Sequence, residues 1–145
     1  MFRKLAHVCL ITNHLDRQIA FYTEKIGLNV QFYFRNDAGE KFGVYLACGD
    51  TTFVEIFDQH KAAAVWGGDT SPLTRGNQCS HFCLEVTDIN DVRQMLLDRG
   101  ADVGPTKQGI DHSWQCWITD PDGNRIELME YTHRSGQINR PEPAE

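Results

Sequence analysis

His7-Val8-Cys9-Leu10 is written again, 74 positions later, as His81-Phe82-Cys83-Leu84. Each quartet sits at the head of a similar series. Residues 5–11 (Leu-Ala-His-Val-Cys-Leu-Ile) read as a strand, and Asn13 or Asp16 is placed to cap a following helix. Leu15, Ile19, Tyr22 and Ile26 then recur at helical spacing, and Gly27 stands where a C-terminal cap glycine belongs. Strands are expected over 28–34, 42–48 and 52–57, with turns at Asn36-Asp37-Ala38-Gly39 and Gly49-Asp50. The second series runs in the same order. A strand over 80–86 precedes a helix with Ile89, Val92 and Leu96 on one face, closed by Gly100. Strands follow near 101–104, 113–119 and 125–131, with Asp120-Pro121-Asp122-Gly123 as the tight turn between the last two. The pattern is βαβββ twice, an α+β chain made by duplication. A period of about 73 residues is too long for a solenoid and fits two halves of one domain.

A chain of 145 residues, 41% hydrophobic and 23% charged, is the size of one domain or two small fused modules. The expected division is one domain over 1–131, with modules at 5–57 and 80–131. A net charge of −6 lacks the Lys/Arg excess that a phosphate backbone demands, so no nucleic-acid partner is expected and a small molecule is. The five cysteines show no CxxC spacing, and no signal-like apolar stretch opens the chain, which leads us to expect a reduced, cytoplasmic protein. No apolar run approaches the roughly 20 residues of a membrane span.

Between the modules, 58–79 reads as an irregular linker, long enough to serve as a lid. The polar, proline-containing stretch 135–145 is expected to be a flexible tail.

Two residue types hold matching places in both modules. These are a histidine in the first strand (His7, His81) and a glutamate in the last (Glu55, Glu127). Each glutamate is flanked by apolar residues, so alternation points it to the face opposite them. Singly, such a glutamate is most often a solvated strand residue, and a lone histidine an ordinary core or surface group. Together, two halves that each supply an imidazole and a carboxylate make a mixed nitrogen and oxygen cage of the kind that borderline divalent metals accept.

The double βαβββ carrying His7, Glu55, His81 and Glu127, with the closing Asp-Pro-Asp-Gly-Asn-Arg-Ile-Glu-Leu-Met-Glu at 120–130, resembles the vicinal oxygen chelate superfamily over residues 5–131, and within it the glyoxalase I type. The resemblance implies a curved mixed sheet around a metal cleft, with these four residues as ligands of one divalent ion. Zinc or nickel is expected, with cobalt or manganese also accepted. It implies a lyase or isomerase that moves a proton next to a carbonyl through a metal-bound enediolate. Glu127 is favoured as the base and Glu55 is the other candidate. It also implies a homodimer, with ligands drawn from one chain or from two. Dioxygenase members resemble a two-histidine, one-carboxylate triad with open positions, and Glu55 fills a position that such a triad leaves empty.

This chain departs from the glutathione-using members at two places. They typically carry an arginine four residues after the first histidine, where this chain has Ile11. Downstream of the first glutamate, where they offer an asparagine, it reads Asp58-Gln59-His60. An epimerase or lyase acting on a non-glutathione substrate therefore stands beside the glyoxalase reading, as does a metal-free small-molecule-binding protein. His112, ahead of a strand, and Trp66, in the linker, are the expected substrate contacts. Cys9 and Cys83 share a face with the histidines but are read as packing residues, because the carboxylates already complete a ligand set.

Overall fold

The computed structural model describes residues 1, 3–76 and 78–139. The chain divides into two compact units between Cys79 and Ser80. The first unit contains β1 (His7–Thr12), α1 (Leu15–Ala20), a π-helical continuation (Phe21–Ile26), β2 (Asn29–Arg35), β3 (Lys41–Gly49), β4 (Thr52–Asp58) and α2 (Gln59–Trp66). The second contains β5 (Phe82–Glu85), α3 (Ile89–Asp98), β6 (Lys107–Gln108), β7 (Trp114–Thr119) and β8 (Arg125–Glu130). Each unit holds one open, four-stranded mixed sheet. The strand orders, β1-β4-β3-β2 and β5-β8-β7-β6, are the same pattern, with the outer strand (β1 or β5) parallel to the last and the remaining pairs antiparallel. The duplicated α+β architecture read from the sequence is the architecture of the protein.

Register decides what each face presents, because residues directly opposite across a ladder point to the same side. In the first sheet one face carries the rows Val8, Val54, Leu46, Val30 and Leu10, Ile56, Val44, Tyr33. Val44, Leu46, Val54 and Ile56 are fully buried on it, and Leu15, Ile19 and Tyr22 of the helix are buried with them. The second sheet repeats this with Phe82, Ile126, Ile118 and with Leu84, Leu128, Cys116, while Ile89 and Leu96 supply the buried face of α3. Gly27 ends the first helix at φ 92°, letting the amides of Gly27 and Leu28 both donate to the Tyr22 carbonyl, at 3.0 and 2.9 Å.

Local structure departs from expectation at four places. The N-cap of α1 is His14 with no side-chain cap bond, rather than Asn13 or Asp16, and Thr12 Oγ1 accepts from the His14 amide at 2.9 Å. The strand expected over 101–104 reduces to a single bridge between Val103 and Ile118, and pairing resumes only at β6. Pro105, which has no N–H to give, interrupts that ladder. The linker over 58–79 is not irregular throughout. Asp58 accepts from the Lys61 amide at 2.9 Å and caps α2, whose alanine run supplies the helix propensity. Finally, 135–139, expected as part of a flexible tail, folds back on the loop before β7. Ser135 is fully buried and its hydroxyl accepts from Ser113 Oγ at 2.8 Å, while Gln137 Nε2 donates to Asp111 Oδ2 at 2.6 Å. The rest of that stretch, 140–145, lies outside the described residues.

The Asp120-Pro121-Asp122-Gly123 turn forms as expected, and its aspartate explains why. Asp120 Oδ1 accepts from the amides of Asp122 and Asn124, and Oδ2 from the Asn124 side chain. Gly123 takes the positive φ of 88° that closes the turn. The hairpin so pinned sets the register that carries Glu127.

Candidate metal centre

In the first sheet, the face opposite the core carries the row Cys9, Glu55, Tyr45, Phe32. His7 lies two residues before Cys9 on the same face, and its Nε2 is 3.5 Å from Glu55 Oε2. The Tyr45 hydroxyl shares a 3.4 Å hydrogen bond with His7 Nδ1. In the second sheet the row is Cys83, Glu127, Trp117, and His81 Nε2 is 3.1 Å from Glu127 Oε2. Here Ser80 Oγ meets His81 Nδ1 at 3.1 Å, and the Trp117 ring packs edge-on to the imidazole at 4.8 Å.

The glutamates are only 8% and 6% exposed, so neither is the solvated strand residue that alternation alone would make it. Four sequence-nominated residues are thus brought together as two pairs, one in each unit. Among the described residues no three His, Cys, Asp or Glu side chains gather as a group able to hold a metal. A buried carboxylate facing an imidazole is a convergent nitrogen and oxygen donor pair, and its charge favours a positive partner. Each pair by itself offers one imidazole nitrogen and one carboxylate, the donor types that borderline divalent ions accept.

The cysteines are closer to this chemistry than their sequence suggests. Cys9 and Cys83 stand directly opposite Glu55 and Glu127 across the parallel strand pairs. Both residues keep solvent access, yet partial desolvation of the sulfur, together with the neighbouring carboxylate, pushes each thiol up to about 12. Additional negative charge reaches Cys83 from Glu85 and Asp111. Tyr45 is likewise raised, by burial first and then by the charge and hydrogen bond of Glu55.

Trp66 ends α2, 58% exposed, and packs edge-on against Phe34, Phe42 and Phe57 at 5.8, 4.9 and 5.1 Å. It is part of an aromatic cluster reaching the histidine-bearing face, since Phe57 and Phe34 lie in the row beside that of Glu55. His112 is an exposed loop residue at φ 66°, and its carbonyl accepts from Gln108 Nε2 and Thr132 Oγ1. Tyr45 was not nominated by the sequence reading. A signal for it existed, because Tyr45 precedes Glu55 by the same ten positions by which Trp117 precedes Glu127.

A fold of paired βαβββ units, each presenting a buried glutamate beside a histidine, defines a class that comparison with known proteins identifies directly. The sequence model of the Glyoxalase/Bleomycin resistance protein/Dioxygenase superfamily matches residues 4–128, and the chain belongs to that superfamily. It is 29% identical over 144 residues to a "Probable lactoylglutathione lyase" of Vibrio parahaemolyticus, covering 93% of this chain and 96% of that one. It is 27% identical over 131 residues to the lactoylglutathione lyase of Salmonella typhimurium, covering 88% and 92%. Among solved structures it resembles a glyoxalase family protein from Enterococcus faecalis, with TM-score 0.67, 22% identity and coverage of 89% and 98%. It also resembles TnmS3, an antibiotic binding protein from a Streptomyces species, with TM-score 0.68, 20% identity and coverage of 90% and 98%. The fold thus serves enzymes and binders alike, and the side chains must carry any argument about activity. No described helix is long and apolar enough to cross a membrane.

Proposed function

We propose that this protein is a metal-dependent lyase or isomerase of the glyoxalase I type that transfers a proton next to a substrate carbonyl. The observation that carries the reading is the recurrence, at one register in both sheets, of an imidazole beside a buried carboxylate. His7, Glu55, His81 and Glu127 are the residues that would hold the ion. When bound, a divalent ion supplies Lewis-acid stabilisation of the charge that develops on the substrate oxygens. Glu127 is our choice for the base, which takes the proton from the carbon beside the carbonyl and returns it at the neighbouring one. Glu55 is buried opposite Tyr45, whose ring packs on Phe32 and Phe53, and a carboxylate so withdrawn from water keeps electrostatic interactions strong.

One set of observations favours a second reading, in which the same chemistry acts on a substrate without glutathione. Ile11, where glutathione-using members typically carry arginine, is an exposed apolar residue in the row of Phe57. Asp58 caps α2, and Gln59 Nε2 donates to the carbonyls of Asp69 and Ser71, so both have structural tasks.

Elemental analysis after dialysis is the first test, with about one divalent ion per four-ligand set expected. Turnover of methylglyoxal in the presence of glutathione, where the hemithioacetal forms, against turnover of hydroxy-carbonyl and acyl substrates in its absence then separates the two readings. A protein that takes up no zinc, nickel, cobalt or manganese would overturn both and leave a ligand-binding role.

A further inference from the structure

We propose that Arg125, held against the Trp117 ring, is a specificity-determining residue that takes a carboxylate carried by the substrate itself. The proposal rests on the reading above in one respect, that the face bearing His81 and Glu127 receives the substrate.

A difference at one duplicated position points to it. Two residues before each glutamate, and so on the same face of the strand, the first sheet has Phe53 and the second has Arg125. Each packs on the ring that stands opposite the glutamate. Phe53 meets Tyr45 at 5.3 Å between centroids, and the guanidinium carbon of Arg125 lies 4.4 Å from the centroid of the Trp117 ring. Packing on that ring is a task that an uncharged residue performs in the first sheet, so it leaves the charge of Arg125 without a purpose. Arg125 is exposed, and among the described residues no carboxylate pairs with its guanidinium.

A guanidinium presents five N–H donors in a rigid fork that matches a carboxylate bidentately, and stacking on an aromatic face fixes its plane before a ligand arrives. His81 packs on the same indole at 4.8 Å, so one ring positions both the cation and the imidazole beside Glu127. Arg125 and Glu127 are about 7 Å apart along the strand, a span that a small acid bridges with its carboxylate on the arginine and its reacting carbon at the glutamate. One guanidinium answers one negative charge, and in a chain of net charge −6 that favours a monoanionic carboxylate over a phosphate dianion. The substrate class is then a small hydroxy or oxo acid, in line with the reading without glutathione.

Binding is measured on the full chain, with and without added zinc, by following the Trp117 indole N–H resonance, assigned with Trp117→Phe. The probes are lactate, pyruvate, neutral hydroxyacetone, inorganic phosphate and glutathione. Wild type should hold lactate and pyruvate about 10–100-fold more tightly than hydroxyacetone. Arg125→Gln should lose that preference, and Arg125→Lys, which keeps the charge without the fork, should fall between. Arg125→Phe, which copies the packing of the first sheet, should bind as Arg125→Gln does. The comparison of acid with hydroxyacetone in wild type needs no variant. Wild type indifferent to the carboxylate overturns the proposal, and so does an Arg125→Gln that keeps the preference. Phosphate held more tightly than the acids overturns the substrate class, and glutathione held more tightly moves the carboxylate from substrate to cosubstrate and overturns it too. Wild type that holds the acids through Arg125 but takes up no divalent ion removes the lyase or isomerase reading and keeps this inference for a ligand-binding protein. Metal-binding wild type that ignores carboxylates removes the inference alone.

Discussion

In the first sheet the row through the glutamate runs Cys9, Glu55, Tyr45, Phe32, and the row beside it runs Ile11, Phe57, Gly43, Phe34. In the second, Cys83, Glu127 and Trp117 stand beside Glu85, Met129, Gln115 and Lys107. Backbone, register, histidine, glutamate and cysteine repeat, while the surroundings change from aromatic and apolar to largely polar and charged. The glutamates are buried to nearly the same degree in both. Burial of the carboxylate is therefore a property of the duplicated backbone, and the chemistry around it is set separately in each half. A duplicated frame that keeps its histidine and glutamate positions can specialise one half for apolar contact and the other for polar contact without moving either pair.

The sharpest way to break the equivalence of the halves is to neutralise each glutamate in turn. Glu55→Gln and Glu127→Gln should both weaken metal retention, measured by elemental analysis after dialysis. If Glu127 is the base, its variant should in addition lose about 10²–10⁴-fold in kcat on metal-saturated protein, a loss that Glu55→Gln should not match. Equal kcat losses would return the two glutamates to equal standing.

A smaller effect tests the packing contrast. At Gly43 an added Cβ would meet the Phe57 ring at 2.3 and 2.5 Å, so Gly43→Ala should destabilise by about 1–3 kcal/mol, seen in denaturant unfolding. The counterpart at the same register in the second sheet is Gln115, opposite Met129, where no ring demands a glycine. Gln115→Ala should cost less, and a larger cost there would mean that the polar row is as tightly built as the aromatic one. Smaller again, Tyr45→Phe removes the hydroxyl that hydrogen-bonds His7, with an expected cost of about 0.5–1.5 kcal/mol and no counterpart at Trp117, which has no hydroxyl.

The duplication was legible because it rests on short-range signals. Hydrophobic period, cap glycines at Gly27 and Gly100, and the Asp120 turn are written locally, and they placed all eight strands but one within a few residues. The sixth was misplaced because a single proline decides where an edge ladder can resume, and period counting does not register that. The histidines and glutamates were legible because their positions recur. Tyr45 left only a weaker trace, the ten-position spacing to Glu55 that Trp117 repeats before Glu127, and that it and Cys9 stand directly opposite Glu55 depends on the register between strands, which is a tertiary fact. The fold-back at 135–139 was hidden for a related reason. Polar residues that look like tail are held by polar groups more than 20 positions earlier.

That fold-back gives the second half a closure that the first lacks, since α2 follows β4 and a hydrogen-bonded turn follows β8. Gln137 reaches Asp111, the amide of Gly136 donates to the Asp111 carbonyl, and Thr132 Oγ1 donates to the His112 carbonyl. The Gln137 hydrogen bond holds the Asp111 carboxyl below its ordinary value, with further bonds from Ser113 and against an opposing contribution from desolvation. A carboxylate lowered on folding contributes stability that is present above its unfolded value of 3.8 and is lost as pH falls through the lower folded value. Protection of the 132–139 amides against hydrogen exchange should therefore fall on acidification below about pH 4, while protection in α2 should not follow it. Gln137→Ala should weaken that protection at neutral pH and flatten its acid dependence. An unchanged acid profile in the variant would show that Asp111 is not the group that closes the second half.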